Sequence, residues 1–293
     1  MSLSAEQLEF RRGHIGGSEI ASILGLNPFA SAIDVWLSKV EGYQQPVNSA
    51  MERGTFLEDG VARWYAARTG ASIYPAETVR HPKFPHVGCT PDRFWATPET
   101  VRRLLSIKVP GNWLSEEWGE PHAWQVPTYA YVQLQYEMAV CRELGLCETD
   151  FAHLAAPLNG ELEVLTVEGD ATVQARLLQE AETWWARHFE TKSPPPLDGS
   201  ESAKQWLRRR FPRSEKPIRK ATPQEDLLCL GLQEAERAWE VADKAYERAR
   251  QPVEEAIGDA EGVEGPFGRI TFRTNARGVR SLKPTWTTKG GTP

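Results

Sequence analysis

The chain has 293 residues, of which 40% are hydrophobic and 25% charged, and 34 basic against 40 acidic side chains leave a formal charge of −6. That length fills one large domain with an appendage, or two domains, and buries a core without disulfide or metal staples. No apolar run reaches the roughly 18–20 residues of a membrane span, and MSLSAEQLEFRRG has no signal-peptide core, so a cytoplasmic protein is expected rather than a secreted or membrane-integral one.

The charge is uneven. Residues 1–200 hold 26 acidic and 16 basic side chains, whereas residues 201–293 hold 14 and 18. Eight basic residues and one acidic lie between Lys204 and Lys220, and six basic and no acidic between Arg269 and Lys289. Such stripes on an acidic protein suit a polyanion touched at chosen places, and equally a solvated or helix-end charge run. Cys89, Cys141, Cys147 and Cys229 form no CxxC pair and meet no histidine at zinc-finger spacing, so free thiols are expected.

In chain order, Ser18 to Gly25 has helical spacing, a turn follows at Asn27-Pro28-Phe29, and Ala32 to Val40 is a second helix with Ile33, Trp36 and Leu37 on one face. A longer helix runs from about Met51 to Thr69 and stops at Gly70. Val79 to Trp95 is predicted as short strands broken by His-Pro and Thr-Pro-Asp turns, and Arg102 to Val109 as a buried strand. Pro127 to Leu144 and Ala171 to Lys192 read as helices, with an alternating strand at Glu161 to Val167 between them. Ser193 to Ser200 breaks every regular element and marks a boundary. Beyond it, Pro223 to Gly258 is a long amphipathic helix, a candidate arm of a helical hairpin, and Phe267 to Arg273 begins a terminal β-hairpin. Trp36, Trp64, Trp184 and Trp185 are assigned to the core, and His81 and His86 to a structural turn. Trp113, Trp118 and Trp124 either stack on unpaired bases or pack a loop.

Chemistry concentrates in Thr90-Pro91-Asp92 and Ser106-Ile107-Lys108. Alternate residues on a strand share a face, so Ser106 and Lys108 point together, toward Asp92. A carboxylate beside a lysine suits a hard divalent cation with oxygen ligands. Glu58, on the helix within Gly54-Thr-Phe-Leu-Glu58, can complete that shell.

The ordered blocks RRGHIGGSEIASILGLNPF, WLSKVEG, MERGTFLEDGVARWYAARTG, HPKFPHVGCTPDRF, LLSIKVP and YVQLQYEMAV resemble the YqaJ and lambda-exonuclease type of phage-recombination exonuclease, within the PD-(D/E)xK nuclease superfamily. The similarity runs from about Arg11 to Gly199. It implies an α/β fold: a mixed central sheet flanked by helices, restriction-endonuclease-like, over residues 1–199. A basic linker, long helix and terminal hairpin would occupy 200–293. It further implies a Mg²⁺-dependent (Mn²⁺-tolerant) exodeoxyribonuclease acting on double-stranded DNA ends, a homo-oligomeric ring, and a single-strand-annealing partner, in a bacterial or phage-infected cell. By the same resemblance Asp92, Glu58 and the Ile107 carbonyl hold the metal, while Lys108 and Gln135 orient the attacking water, with Gln133 as accessory. Arg11, Ser18 and Thr90 receive the 5′-phosphate. The family has Glu or Asp where this chain has Ser106. Three accounts stand: a migrated carboxylate (Glu116, Glu117 or Glu137), a weakened or inactive nuclease that still binds DNA, or a residue changed to trap a complex.

Overall fold

A computed structural model of the chain describes residues 9, 11–43, 46–111, 116–275 and 277–287. The chain divides into two compact units, the first ending at Arg213.

The first unit is built on five strands in the order β1-β4-β5-β8-β9: β1 (Ser72–Pro75), β4 (Arg93–Ala96), β5 (Arg103–Ile107), β8 (Phe151–Leu158) and β9 (Glu161–Glu168). Only β5 and β8 pair in parallel, and the other neighbours are antiparallel. Two minor ribbons accompany them, β2 (Val79–Arg80) with β3 (Gly88–Cys89) and β6 (Gly119–Glu120) with β7 (Ala123–Trp124). One core joins the sheet to α1 (Gly17–Ile23), α2 (Ala32–Trp36), α4 (Thr128–Glu143) and α5 (Ala171–Trp184) through Ile20, Ile33, Leu104, Leu134, Met138, Leu154 and Leu177. A second core packs α3 (Ser49–Thr69) on the sheet through Val61, Tyr65, Trp95, Leu105 and Ile107. The alternation along β5 divides these two cores: Leu104 belongs to one, Leu105 and Ile107 to the other. Ser106 therefore lies on the Leu104 side, buried to 1% exposure.

Several sequence expectations meet the structure directly. Asn48 caps α3 by accepting from the amides of Ala50 and Met51, and Gly70 ends it at φ 71°, a left-handed conformation that suits a residue without a Cβ. The helix predicted at Ala171 to Lys192 keeps its α form to Trp184, then widens into a π turn over Trp185–Glu190. β1 and β8 escaped the sequence reading. Strand β8 (FAHLAAPL) has five fully buried positions, three of them consecutive, so it carries no alternation to detect. Trp36, Trp184 and Trp185 are in the core, but Trp64 is 38% exposed and is not a core residue. His81 is structural, accepting from the amides of Lys83 and Phe84, and His86 stacks on Trp185. Trp118 is buried by loop packing at 2% exposure, whereas Trp113 lies outside the described residues.

The first unit continues past the Pro-rich boundary because α6 (Glu201–Arg210) contributes to its core. Trp206 meets Trp36 edge to face at 5.9 Å, and its Nε1 donates to Glu41. Part of the first basic stripe is occupied locally, Arg209 over Tyr43 and Arg210 over Trp206.

The second unit holds α7 (Pro223–Ile257) and an antiparallel sheet of β10 (Gly262–Gly265), β11 (Gly268–Thr274) and β12 (Arg280–Trp286). Thr222 and Glu225 form a capping box at the start of α7. Among the described residues of this unit α7 has no second helical arm, and the expected terminal hairpin is a three-stranded sheet. Arg280 ties sheet to helix end by donating to the carbonyls of Gly258, Ala260 and Phe272.

Candidate active site

Strand register builds the centre. Arg93 pairs with Leu105 across β4 and β5, which brings the preceding Asp92 level with Ser106. Asp92 Oδ2 accepts from the Ile107 amide at 2.7 Å and from Ser106 Oγ at 3.1 Å. The two hydrogen bonds, each worth about 1 kcal/mol, fix the carboxylate at the strand ends. Lys108 leaves β5 with its amide bound to the Ala155 carbonyl, and its Nζ donates to Gln133 Oε1 at 2.9 Å. Gln133 Nε2 donates in turn to Glu137 Oε1 at 2.8 Å. Lys108, Gln133 and Glu137 thus form one chain from strand to helix.

Glu58 reaches the centre from α3 through a mediator the sequence reading missed. Arg93 donates to Glu58 Oε1 at 2.8 Å, to Asp59, and to the Asp92 carbonyl. Burial raises the Glu58 carboxyl above the ordinary range, and the Asp92 charge raises it further, with Arg93 opposing both. Helix α3 is seated by Tyr65, whose hydroxyl lies 2.6 Å from His153 Nδ1 on β8. Burial lowers that imidazole to about 4, so it stays neutral at neutral pH.

A cleft of about 110 Å³ adjoins this centre, with Arg11, Ser18, Thr90, Gln133 and Glu137 among its lining residues. The N-terminal segment is tied over β3: the Ile15 amide donates to the His86 carbonyl, and the Ile15 carbonyl accepts from Gly88 N and from Tyr136 Oη. Gly88 permits the approach, since a Cβ there would stand 2.6 Å from His14 Cδ2 and 2.8 Å from the Val79 carbonyl. Thr90 Oγ1 lies 2.8 Å from Thr78 Oγ1. Lys39, quoted in the sequence but given no role there, is buried at 3% exposure and holds Glu19 at 2.8 Å and the Arg11 carbonyl at 2.6 Å. Its position inside an otherwise apolar helical face was the available signal.

The structure brings Asp92, Ser106, Lys108 and Gln133 together, sets Glu58 beside them, and gathers Arg11, Ser18 and Thr90 on the adjoining cleft. Gln135 is not with them. It faces the opposite side of α4, donating to the Glu168 carbonyl at 2.6 Å and accepting from Asp170 N and Gln174 Nε2. Positions two apart on a helix differ by about 200°, so one of the pair must turn away, and Gln133 is the one at the site. Of the three candidate replacement carboxylates, Glu137 joins the site and Glu117 acts on Tyr129, whose hydroxyl is pushed up to about 12 by burial and then by that charge. The Glu116 side chain lies outside the described residues. Among the described residues, no three His, Cys, Asp or Glu side chains cluster as a metal set.

A mixed sheet carrying Asp92 on one strand end and Ser106-Ile107-Lys108 on the next, under a helix that supplies Gln133, is the arrangement expected from the PD-(D/E)xK resemblance, with serine where an acid was expected and Gln133 in place of Gln135. Residues 6–151, about half of the chain, match the YqaJ-like viral recombinase domain. The chain is 28% identical over 216 residues to the uncharacterized protein YqaJ of Bacillus subtilis (strain 168), an alignment covering 72% of this chain and 64% of that relative's length. The fold is similar to that of LHK-Exo, an alkaline exonuclease from Laribacter hongkongensis, with a TM-score of 0.51 at 20% identity over 71% of this chain and 97% of that one. LHK-Exo in complex with dAMP gives a TM-score of 0.52 at 19% identity over the same shares. At such identity the likeness concerns the fold. No helix among the described residues is long and apolar enough to cross a membrane.

Proposed function

We propose that the chain is a cation-dependent deoxyribonuclease that degrades double-stranded DNA from its ends in phage or prophage recombination, inside a bacterial cell. The observation that carries the reading is the continuous set of groups from Asp92 through Lys108 and Gln133, which opens on the cleft of Arg11, Ser18 and Thr90.

The donor chemistry fits a hard divalent ion: Asp92, Glu58 and the Ile107 carbonyl are all oxygen donors, and the two carboxylates repel each other. Asp92, Glu58 and Ile107 would hold Mg²⁺ or Mn²⁺, which supplies charge to polarise the scissile phosphate and to acidify water. Lys108, aimed by Gln133, would orient the attacking water. Arg11, Ser18 and Thr90 would seat the terminal 5′-phosphate, so that successive cleavages start from an end. A homo-oligomer around the duplex and a single-strand-annealing partner complete the proposal.

A second reading, a DNA-binding recombination protein without catalysis, draws on Ser106, which spends its hydroxyl on Asp92, and on Arg93, which engages Glu58. Incubation with Mg²⁺ or Mn²⁺ and matched linear and circular duplexes separates the two. The nuclease reading expects loss of the linear DNA only, faster with a 5′-phosphate than with a 5′-hydroxyl. Intact linear DNA with both metals, alongside retained DNA binding, would establish the second reading.

A further inference from the structure

With Ser106 in place of an acid, the strands bring one carboxylate to the site, Asp92, held by the Ile107 amide and Ser106 Oγ. Glu58 shares the Arg93 guanidinium with Asp59. A further carboxylate stands close by on α4. Glu137 lies one turn beyond Gln133 on α4, buried to 2% exposure. It is pressed against α1 so closely that a Cβ at Gly17 would stand 2.6 Å from its Oε1. Burial, then the Asp92 charge, push its carboxyl up to about 8, with the Gln133 hydrogen bond and Lys108 opposing. Glu137 therefore keeps its proton at neutral pH until more positive charge approaches. A divalent cation beside Asp92 would bring that charge and ionise Glu137, whose hydrogen bond from Gln133 is already in place.

It also acts on geometry. An amide has one accepting and one donating end, and the donation of Gln133 Nε2 to Glu137 leaves Gln133 Oε1 toward Lys108 Nζ. One carboxyl group thus sets the aim of the lysine.

We infer that Glu137 replaces, from helix α4, the carboxylate that position 106 lacks, supplying the negative charge for a divalent cation and orienting Lys108 through Gln133. The inference rests on the reading of Asp92 and Lys108 as a cation-dependent site, and Glu137 is in this scheme a positioning residue.

The test is Mn²⁺ titration of the DNA-free full-length protein by calorimetry, with melting curves alongside. Glu137→Gln keeps an acceptor for Gln133 but removes the charge, so Mn²⁺ affinity falls on the order of tenfold while the melting temperature holds or rises. Adding Ser106→Glu, or the smaller Ser106→Asp, to Glu137→Gln returns the affinity toward native. A purely structural Glu137 would give the reverse, a lowered melting temperature with unchanged Mn²⁺ affinity, and that result overturns the inference. Failure of both folded double variants to regain affinity overturns it too. Native protein that binds no Mn²⁺ overturns this inference and the nuclease reading together. Native protein that binds Mn²⁺ through Glu137 yet leaves linear DNA intact overturns the nuclease reading alone.

Discussion

Lys108→Ala is expected to slow Mg²⁺-dependent loss of linear duplex DNA by roughly 10²–10³-fold, the range for losing one positioned donor at the reacting centre. The side chain projects from the end of β5 and makes one hydrogen bond, to Gln133. Its removal subtracts about 1 kcal/mol of net hydrogen bonding, so the melting temperature should drop by no more than about 4 °C. Binding of a 5′-phosphorylated duplex should persist, because Arg11, Ser18 and Thr90 lie on the adjoining cleft. Progress curves on linear DNA, with gel-shift and melting controls, measure all three. A variant that degrades DNA at the native rate would remove Lys108 from the chemistry.

The paired glutamines give the second large contrast. Gln133→Ala frees Lys108 from its acceptor and leaves the lysine free to move, for which a loss on the order of 10²-fold in rate is expected, with a stability cost of about 1–2 kcal/mol because buried Glu137 loses its donor. Gln135→Ala should cost stability without touching the rate. It strips partners from the Glu168 carbonyl, the Asp170 amide and the Gln174 amide group at a fully buried position, costing about 3 kcal/mol. Its folded fraction should cut DNA at the native rate. Urea melts and rates normalised to folded protein distinguish the two, and swapped phenotypes would mean that the active face of α4 has been assigned to the wrong glutamine.

The glutamines also show where sequence reading stops. The helix itself was clear from its apolar content, but α4 is buried at ten consecutive positions from Val132 to Cys141, so no polar face tells which glutamine meets the sheet. Strand parity did better. Ser106 and Lys108 had to share a face, and the register of β4 with β5 then fixed Asp92 against Ser106. Arg93 was invisible as a site residue because its role depends on α3 crossing above β4, a contact between residues 35 apart in the chain. Glu137 was in view as a replacement carboxylate, but only packing separates it from Glu117. Strand β8 went unread for the same reason as the helix face: burial on both sides erases the alternation that marks a strand. The family blocks carried the order of the site groups, and tertiary packing carried their partners.

The proposed chemistry requires a divalent ion held between the strand-end aspartate and the α3 glutamate. A crystal of the native protein soaked in Mn²⁺, with anomalous data collected at the manganese edge, tests that most directly. The predicted result is a peak within about 2.0–2.6 Å of oxygens from Asp92, Glu58 and the Ile107 carbonyl, with Arg93 drawn off Glu58. A soaked crystal with no peak there, or with manganese bound elsewhere and the Arg93–Glu58 pair intact, would contradict a cation site at Asp92 and Glu58.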